Sequence, residues 1–196
     1  MRIISGEARG RHLRAPRGAA TRPTADRVRE ALFNILGDAT GLAVLDLFAG
    51  TGALALEALS RGAAQAVLVD SAEGAVRVIQ ENAATLGYQD RARVLRLDVL
   101  RALRLLEKQG ARFDLVFVDP PYQGTAAAAT LAALGGGSLL APGALVVVEH
   151  DNRNRPGEQH GALCLTQRRK YGQTEVSFYE AVMAAGQAPS SERTDP

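Results

Sequence analysis

The chain of 196 residues carries one cysteine, Cys164. That excludes a disulfide framework within the chain and leaves no cysteine set to hold a metal. Long apolar runs are also missing. Runs such as "LVFV" (115–118) and "ALVVV" (144–148) are far too short to cross a bilayer. The opening "MRIISGEARGRHLR" has no apolar core segment, so no cleavable signal is expected. These absences point to a cytoplasmic protein without a membrane or a metal. What remains is ordinary for a globular domain, with 46% apolar and 22% charged residues. The length suits one domain with a sizeable core.

Net charge is only +2, but its distribution is uneven. Arg2, Arg9, Arg11, Arg14, Arg17 and Arg22 face a single acid, Glu7, within the first 22 residues. Arg168, Arg169 and Lys170 form a second basic patch near the other end. Guanidinium groups suit phosphate because their fork offers paired hydrogen bonds, so nucleic-acid contact is expected. His12, His150 and His160 have no partners at ligand spacing and read as surface or RNA-facing groups.

Residues 2–14 alternate short apolar and basic positions around glycines, which predicts a small ribbon outside the main core. "RPTADRVREALFNIL" predicts a helix. Val28, Ala31, Leu32, Ile35 and Leu36 make one apolar stripe, Thr24 is the expected N-cap, and Gly37 the stop. From residue 43 strands and helices alternate: "AVLDLF", "ALALEALS", "AQAVLV", "AEGAVRVIQENAATLG", "ARVLRL", "VLRALRLLEKQG", "FDLVFV", a small-residue helix near 125–134, and "ALVVVEH". Near-continuous apolar strands between helices predict a mostly parallel sheet covered on both faces. "ALCLTQRRKYGQTEVSFYEAV" then predicts an antiparallel hairpin turning at "YGQT". The polar tail is expected to be disordered.

"VLDLFAGTGALALEAL" is the most informative stretch. Gly50 and Gly52 open a helix directly after a strand, where missing side chains let a ligand approach and free N–H groups favour a negative group. Asp70 ends the next strand and is placed to accept from two ribose hydroxyls. The pattern fits a nicotinamide dinucleotide as well as S-adenosylmethionine. Asp46 separates them, because a carboxylate just before the loop repels a pyrophosphate but pairs with an ammonium. Asp98 ends the third strand, where it can accept from an adenine amino group while the Val99 backbone meets the ring. The expected cofactor contacts are Asp46, Phe48, Ala49, Gly50, Thr51, Gly52, Asp70, Ser71, Asp98 and Val99.

"FVDPPYQG" (117–124) ends a strand at the same edge of the sheet. Asp119 and the carbonyl of Pro120 can each accept from an exocyclic NH2, Pro120 and Pro121 hold those acceptors rigid, and Tyr122 offers a stacking face. An aromatic amine is a poor nucleophile, and two acceptors around the nitrogen aim its lone pair at a sulfonium methyl. The catalytic set is therefore Asp119, Pro120, Pro121 and Tyr122.

"RIISGEARGRHL", "RPTADRVREALFNIL", "DLFAGTGALALEAL", "VDPPY" and "YGQTEVSFY" together resemble the bacterial 16S ribosomal RNA guanine-N2 methyltransferases, the RsmD-like proteins. Ser5 departs from the pattern, where relatives usually carry a second glycine. The resemblance implies a Rossmann-like class I S-adenosylmethionine-dependent methyltransferase fold, with a mostly parallel seven-stranded sheet and a C-terminal antiparallel hairpin. It divides the chain into a basic ribbon at 1–22, a methyltransferase domain at 23–183 and a disordered tail at 184–196. It also implies a monomer acting on 16S rRNA in an assembled or late-assembling small subunit. Arg2, Arg9, Arg11, Arg14, Arg22, Thr24, Arg27, Arg168, Arg169 and Lys170 are the expected RNA contacts. Three rivals stand beside it. A DNA adenine-N6 methyltransferase shares the DPPY turn, but the chain holds no separate target-recognition domain. A nicotinamide-dependent reductase is disfavoured by Asp46, and a non-enzymatic RNA-binding module accounts for the arginines alone.

Overall fold

The computed structural model describes residues 1–15, 23–121 and 125–182; the side chains of residues 23–27 also lie outside that description. Its elements are α1 (Pro23–Leu36), β1 (Ala43–Leu47), α2 (Ala53–Ser60), β2 (Gln65–Asp70), α3 (Glu73–Leu86), β3 (Ala92–Arg96), α4 (Val99–Lys108), β4 (Phe113–Val118), α5 (Ala126–Gly136), β5 (Leu140–Asp151), β6 (Gln159–His160), β7 (Leu163–Tyr171) and β8 (Thr174–Ala181). They build one sheet in the order β3-β2-β1-β4-β5-β8-β7-β6. The first five neighbours in that order run parallel, and the last three pair antiparallel.

Alternation along the central strands creates two apolar layers. Leu45, Leu47, Val116, Val118, Val146 and Val148 face α4 and α5, with Leu103, Leu106, Leu131 and Leu134 packed on them. Val44, Leu115, Phe117 and Val147 face the other way, onto Leu32 and Phe33 of α1, Leu56 and Leu59 of α2, and Ile79 of α3. Burial on both faces explains why β1, β2 and β4 read as near-continuous apolar runs.

Three expectations change in detail. The sheet has eight strands rather than seven, because the two-residue β6 pairs with the start of β7. Two residues are too few to leave a periodic signal. Helix α1 begins at Pro23, so Thr24 is its second residue and not its cap; proline suits the first position because its missing N–H has no partner to lose there. Gly37 ends α1 at φ 71, its amide bonded to Phe33 O, as expected.

The largest correction concerns the N-terminus. Arg2 and His12 do form an antiparallel bridge, but the ribbon does not stand outside the core. Ile3, Ala8 and Leu13 are buried in the same apolar layer as α1, α2 and α3. Polar groups of two helices hold the backbone between them. Glu57 accepts from the amides of Ile4 (2.7 Å) and Ser5 (2.9 Å), Ser60 Oγ accepts from Ala8 N (3.0 Å) and donates to Ser5 O (2.6 Å), and Asn82 Oδ1 accepts from Arg14 N (2.8 Å). The segment is a strap fastened across α2 and α3. His150 also departs from its surface reading: it is 4% exposed, with Nδ1 3.0 Å from Asp151 O and Nε2 2.8 Å from Ser177 Oγ. The carbonyl can only accept, so Nδ1 donates to it, and Nε2 is hydrogen-bonded to the serine hydroxyl. The expected tail at 184–196 lies outside the described residues.

Candidate active site

The carboxyl ends of β1, β4 and β5 converge on a cleft of about 170 Å³ lined by Asp46, Phe48, Gly50, Thr51, Asp119 and Glu149, among others. The strap and α1 close one side through Met1, Val28, Arg29 and Leu32. A larger hollow of about 330 Å³ opens at the opposite edge of the sheet, beside Asp114 and Pro142. Ligands of open α/β sheets bind at the carboxyl edge, where the strand order reverses between β1 and β4. The smaller cleft is therefore the candidate site.

The glycine loop is held by Ala49 N to Val69 O (2.9 Å) and Gly52 N to Ala49 O (2.7 Å). Its two glycines do different things. A Cβ on Gly50 would meet only Phe48 O at 3.9 Å, so that backbone is open to a ligand. A Cβ on Gly52 would meet Leu68 Cδ2 at 3.0 Å and Leu56 Cδ1 at 3.3 Å, so Gly52 is needed for helix α2 to pack onto β2. Between them and the strand, Phe48 sits at φ 64, the one non-glycine residue at positive φ among the described residues. That conformation costs about 1–2 kcal/mol and is held by the loop around it.

Asp46 is 1% exposed and faces the start of α2, where Ala55 N donates to its Oδ2 at 3.2 Å. Burial pushes its carboxyl up to about 7, against the lowering pull of that amide and with a smaller push from Asp70. The acid thus caps the positive end of α2 while remaining short of compensation for a full negative charge. Asp70 accepts from Gly50 N at 2.9 Å and Ala72 N at 2.8 Å. Asp98 caps α4, its Oδ1 accepting from Leu100 N and Arg101 N at 3.0 and 3.3 Å. Leu97 N donates to Asp70 O at 3.2 Å, which keeps the ends of β2 and β3 together. Asp70, Ser71, Asp98 and Val99 lie along the same sheet edge but do not line the cleft.

Asp119 follows β4 directly and is bound to β1 by Asp119 N to Leu47 O (3.5 Å). Pro120 is buried beside it and Pro121 is exposed. Tyr122 lies outside the described residues, as do Arg22 and the side chains of Thr24 and Arg27.

The expected RNA contacts fall into two groups. Arg2 and Arg9 are exposed on the strap, while Arg11 donates to Thr85 O and Arg14 pairs with Glu81 at 2.9 Å. Arg168, Arg169 and Lys170 are consecutive on β7, so Arg169 points away from the other two. Arg168 is further tied to Pro156 O at 2.8 Å. They do not form one basic face.

Arg29 and Glu149 escaped the sequence reading. Arg29 sits among the apolar positions of α1, only 4% exposed, 4.0 Å from Glu57 Oε2 and donating to Arg2 O. Glu149 becomes visible only through register: Val118 pairs with Val148, so Asp119 and Glu149 are the next residues along the two chains, and both line the cleft.

The strand order, the loop after β1 and the acids at successive strand ends define a class I S-adenosylmethionine-dependent methyltransferase fold. A family model described as "Conserved hypothetical protein 95" matches residues 1–180. The chain belongs to that family, which is the RsmD-like group its motifs resemble. Ribosomal RNA small subunit methyltransferase D of Escherichia coli is 41% identical over 79% of this chain and 76% of its own length. The protein named "Putative rRNA methyltransferase YlbH" in Bacillus subtilis is 39% identical over 92% of this chain and 98% of its own. The solved structure described as "Putative methyltransferase yhhF" from Escherichia coli superimposes with a TM-score of 0.81 at 35% identity, covering 94% and 99% of the two chains.

Proposed function

We propose that this chain transfers a methyl group from S-adenosylmethionine to the exocyclic N2 of a guanine in 16S rRNA, acting as a monomer on an assembled or late-assembling small subunit in the cytoplasm. The observation that carries the reading is one cleft that brings Asp119 of the DPP turn together with Asp46 and the open face of Gly50.

The residues fit the cofactor. A buried carboxylate whose pKa burial has raised to about 7 calls for a cation, and an amino-acid ammonium supplies one. Gly50 leaves room for the backbone approach. Each carboxylate oxygen of Asp70 already takes one amide and has a second lone pair for a ribose hydroxyl. Asp98 uses Oδ1 for its cap, so we assign Oδ2 to the adenine amino group, beside the Val99 backbone. When bound, S-adenosylmethionine supplies an electrophilic methyl carbon, to which the amine nitrogen bonds as the carbon–sulfur bond breaks and sulfur keeps the electron pair.

The chain's own part is positioning and electrostatics. Asp119 and the Pro120 carbonyl accept the two N–H bonds of the target amine and draw its lone pair out of the ring plane. The methylated nitrogen is then an acidic ammonium, which releases its proton to Asp119 or to water. No strong base is needed. We assign contacts with RNA phosphates to the exposed Arg2 and Arg9 of the strap and to the exposed Arg169 and Lys170 of β7.

The test is to incubate the protein with labelled S-adenosylmethionine and bare rRNA, unmethylated small subunits, or duplex DNA, and then to identify the labelled nucleotide. N2-methylguanine in small-subunit rRNA is the expected product. Label on adenine, or in DNA alone, overturns the reading.

Asp46 gives a pH dependence with a defined sign. Its folded pKa lies above the unfolded carboxylate value, so the ligand-free fold binds an extra proton from about pH 4 to 7. This group therefore favours folding below that window, and its contribution is lost as pH rises through 7. Pairing with an ammonium reverses the preference. Cofactor binding should release protons and strengthen between about pH 6 and 7.5, below the range where an α-amino group itself loses charge. Calorimetry in two buffers of different ionisation enthalpy measures the proton release, and Asp46→Asn should remove it. An unchanged proton count in Asp46→Asn would refute the pairing.

A further inference from the structure

We propose that Glu149 determines the base this site accepts, by reading the N1–H of guanine beside the amine that Asp119 holds. The inference rests on the methyltransferase reading above and names its specificity element.

Glu149 lies on β5, flanked by β4 on one side and β8 on the other, where it pairs with Val176. It is therefore carried by the middle of the sheet and not by a loop. The parallel register ends at the Val118–Val148 pair, and Glu149 and Asp119 are the next residues along the two chains. Adjacent strands stand about 4.8 Å apart, and residues on one rung of a parallel pair present their side chains to the same face. Both residues line the same cleft, as do Phe48 and Arg29. Glu149 also borders a small hollow behind Pro120 and Pro121.

Two carboxylates side by side are acceptors only. Along its Watson–Crick edge guanine offers the N2 amine and, next to it, the N1–H, so both neighbouring groups are donors. Adenine and cytosine offer an amine next to a ring nitrogen that is itself an acceptor. Asp119 alone accepts any of these amines, as the shared DPP turn implies. Adding Glu149 turns the pocket into a match for guanine, and sets a lone pair against a carboxylate whenever another base enters. A site built to bind a donor strongly rejects an analogue lacking it, because its own polar group is left unpaired.

The experiment uses small subunits reconstituted with rRNA that carries either guanosine or 2-aminopurine riboside at the methylated position. The analogue keeps the N2 amine and replaces the N1–H by an acceptor. Single-turnover transfer is measured for the full-length wild type, Glu149→Gln and Glu149→Ala, with cofactor affinity measured alongside as a check on folding. The wild type should prefer guanine by tenfold to a hundredfold or more, roughly the range for one discriminating pair of hydrogen bonds. Glu149→Gln can turn its amide to donate to the analogue, so it should lose at least about tenfold on guanine while the guanine-to-analogue ratio collapses toward one. Glu149→Ala should lose guanine transfer without gaining on the analogue.

Wild-type transfer to 2-aminopurine as fast as to guanine overturns the inference. So does a Glu149→Gln protein that slows on both bases in proportion, since a mere buttress for the proline turn predicts that result. A wild type that methylates no guanine overturns the proposed function, and this inference with it. Guanine methylation with an unaltered preference in Glu149→Gln overturns this inference alone.

Discussion

Asp119→Ala is expected to slow single-turnover methyl transfer to unmethylated small subunits by a factor of about 10²–10³, the usual effect of deleting one preorganised polar group at a reacting centre. Cofactor affinity should change little, because the proposed partner of Asp119 is the base amine. Its backbone is fixed by the bond to Leu47 O and by the two prolines that follow, so the variant loses a carboxylate and keeps its turn. Asp119→Asn is the sharper comparison. The amide retains one acceptor oxygen at nearly the same volume, and activity should lie between wild type and the alanine variant. Wild-type transfer rates in Asp119→Ala would remove the chemical centre of the proposed function.

Glu57→Ala is expected to cost about 3–5 kcal/mol of stability, the range for breaking a buried ion pair from one side. Glu57 is 0% exposed and meets four donors: the amides of Ile4 and Ser5, Arg61 Nε at 2.8 Å and, more distantly, Arg29 Nε at 4.0 Å. Removing it strands two amides and takes away the carboxylate that lies 4.0 Å from the buried Arg29 Nε. Such a loss is a large part of the 5–15 kcal/mol that holds a domain folded. Denaturant unfolding measures it, and limited proteolysis should show the first 14 residues cut earlier than in the wild type. A shift below about 1 kcal/mol would mean that the strap is only loosely fastened.

The strap also changes what truncation should do. From the sequence alone, removing residues 1–14 concerns RNA affinity and leaves the cofactor site intact. In the fold, Met1 lines the cleft, and Asn82 donates to both Arg14 O and Thr51 O at 3.0 Å. Deletion is therefore expected to weaken cofactor binding as well as RNA binding.

Much of the fold was legible because local and global signals agree. The runs "AVLDL", "QAVLVD" and "FDLVFV" are strands buried on both faces, and Gly37 and Gly87 mark helix ends by their left-handed backbone. The acids at strand ends, the glycine loop and the DPP turn were legible for the same reason, since each lies within a few residues of the element that positions it. What escaped was long-range. Glu57 in "ALALEALS" looks like a solvent-facing acid until the strap arrives from more than 50 residues away. Glu149 needs the β4–β5 register, and His150 needs Ser177 across the β5–β8 pair. Gly50 and Gly52 look alike in sequence, and only Leu68 and Leu56 crowding against Gly52 separate their roles.

The strap has one further consequence, for the order in which the protein matures on the ribosome that makes it. Its first residues leave the exit tunnel first, yet their partners lie at Glu57, Ser60, Asn82, Thr85 and Arg91. These contacts close loops of 52 to 84 residues, and the set cannot be complete until Arg91 has been synthesised. The earliest segment translated thus cannot finish docking until α2, α3 and Arg91 have followed it. Because Met1 and Arg14 stand at the cleft and at the glycine loop, a nascent chain stalled before Asn82 should carry the loop sequence without a finished cofactor cradle.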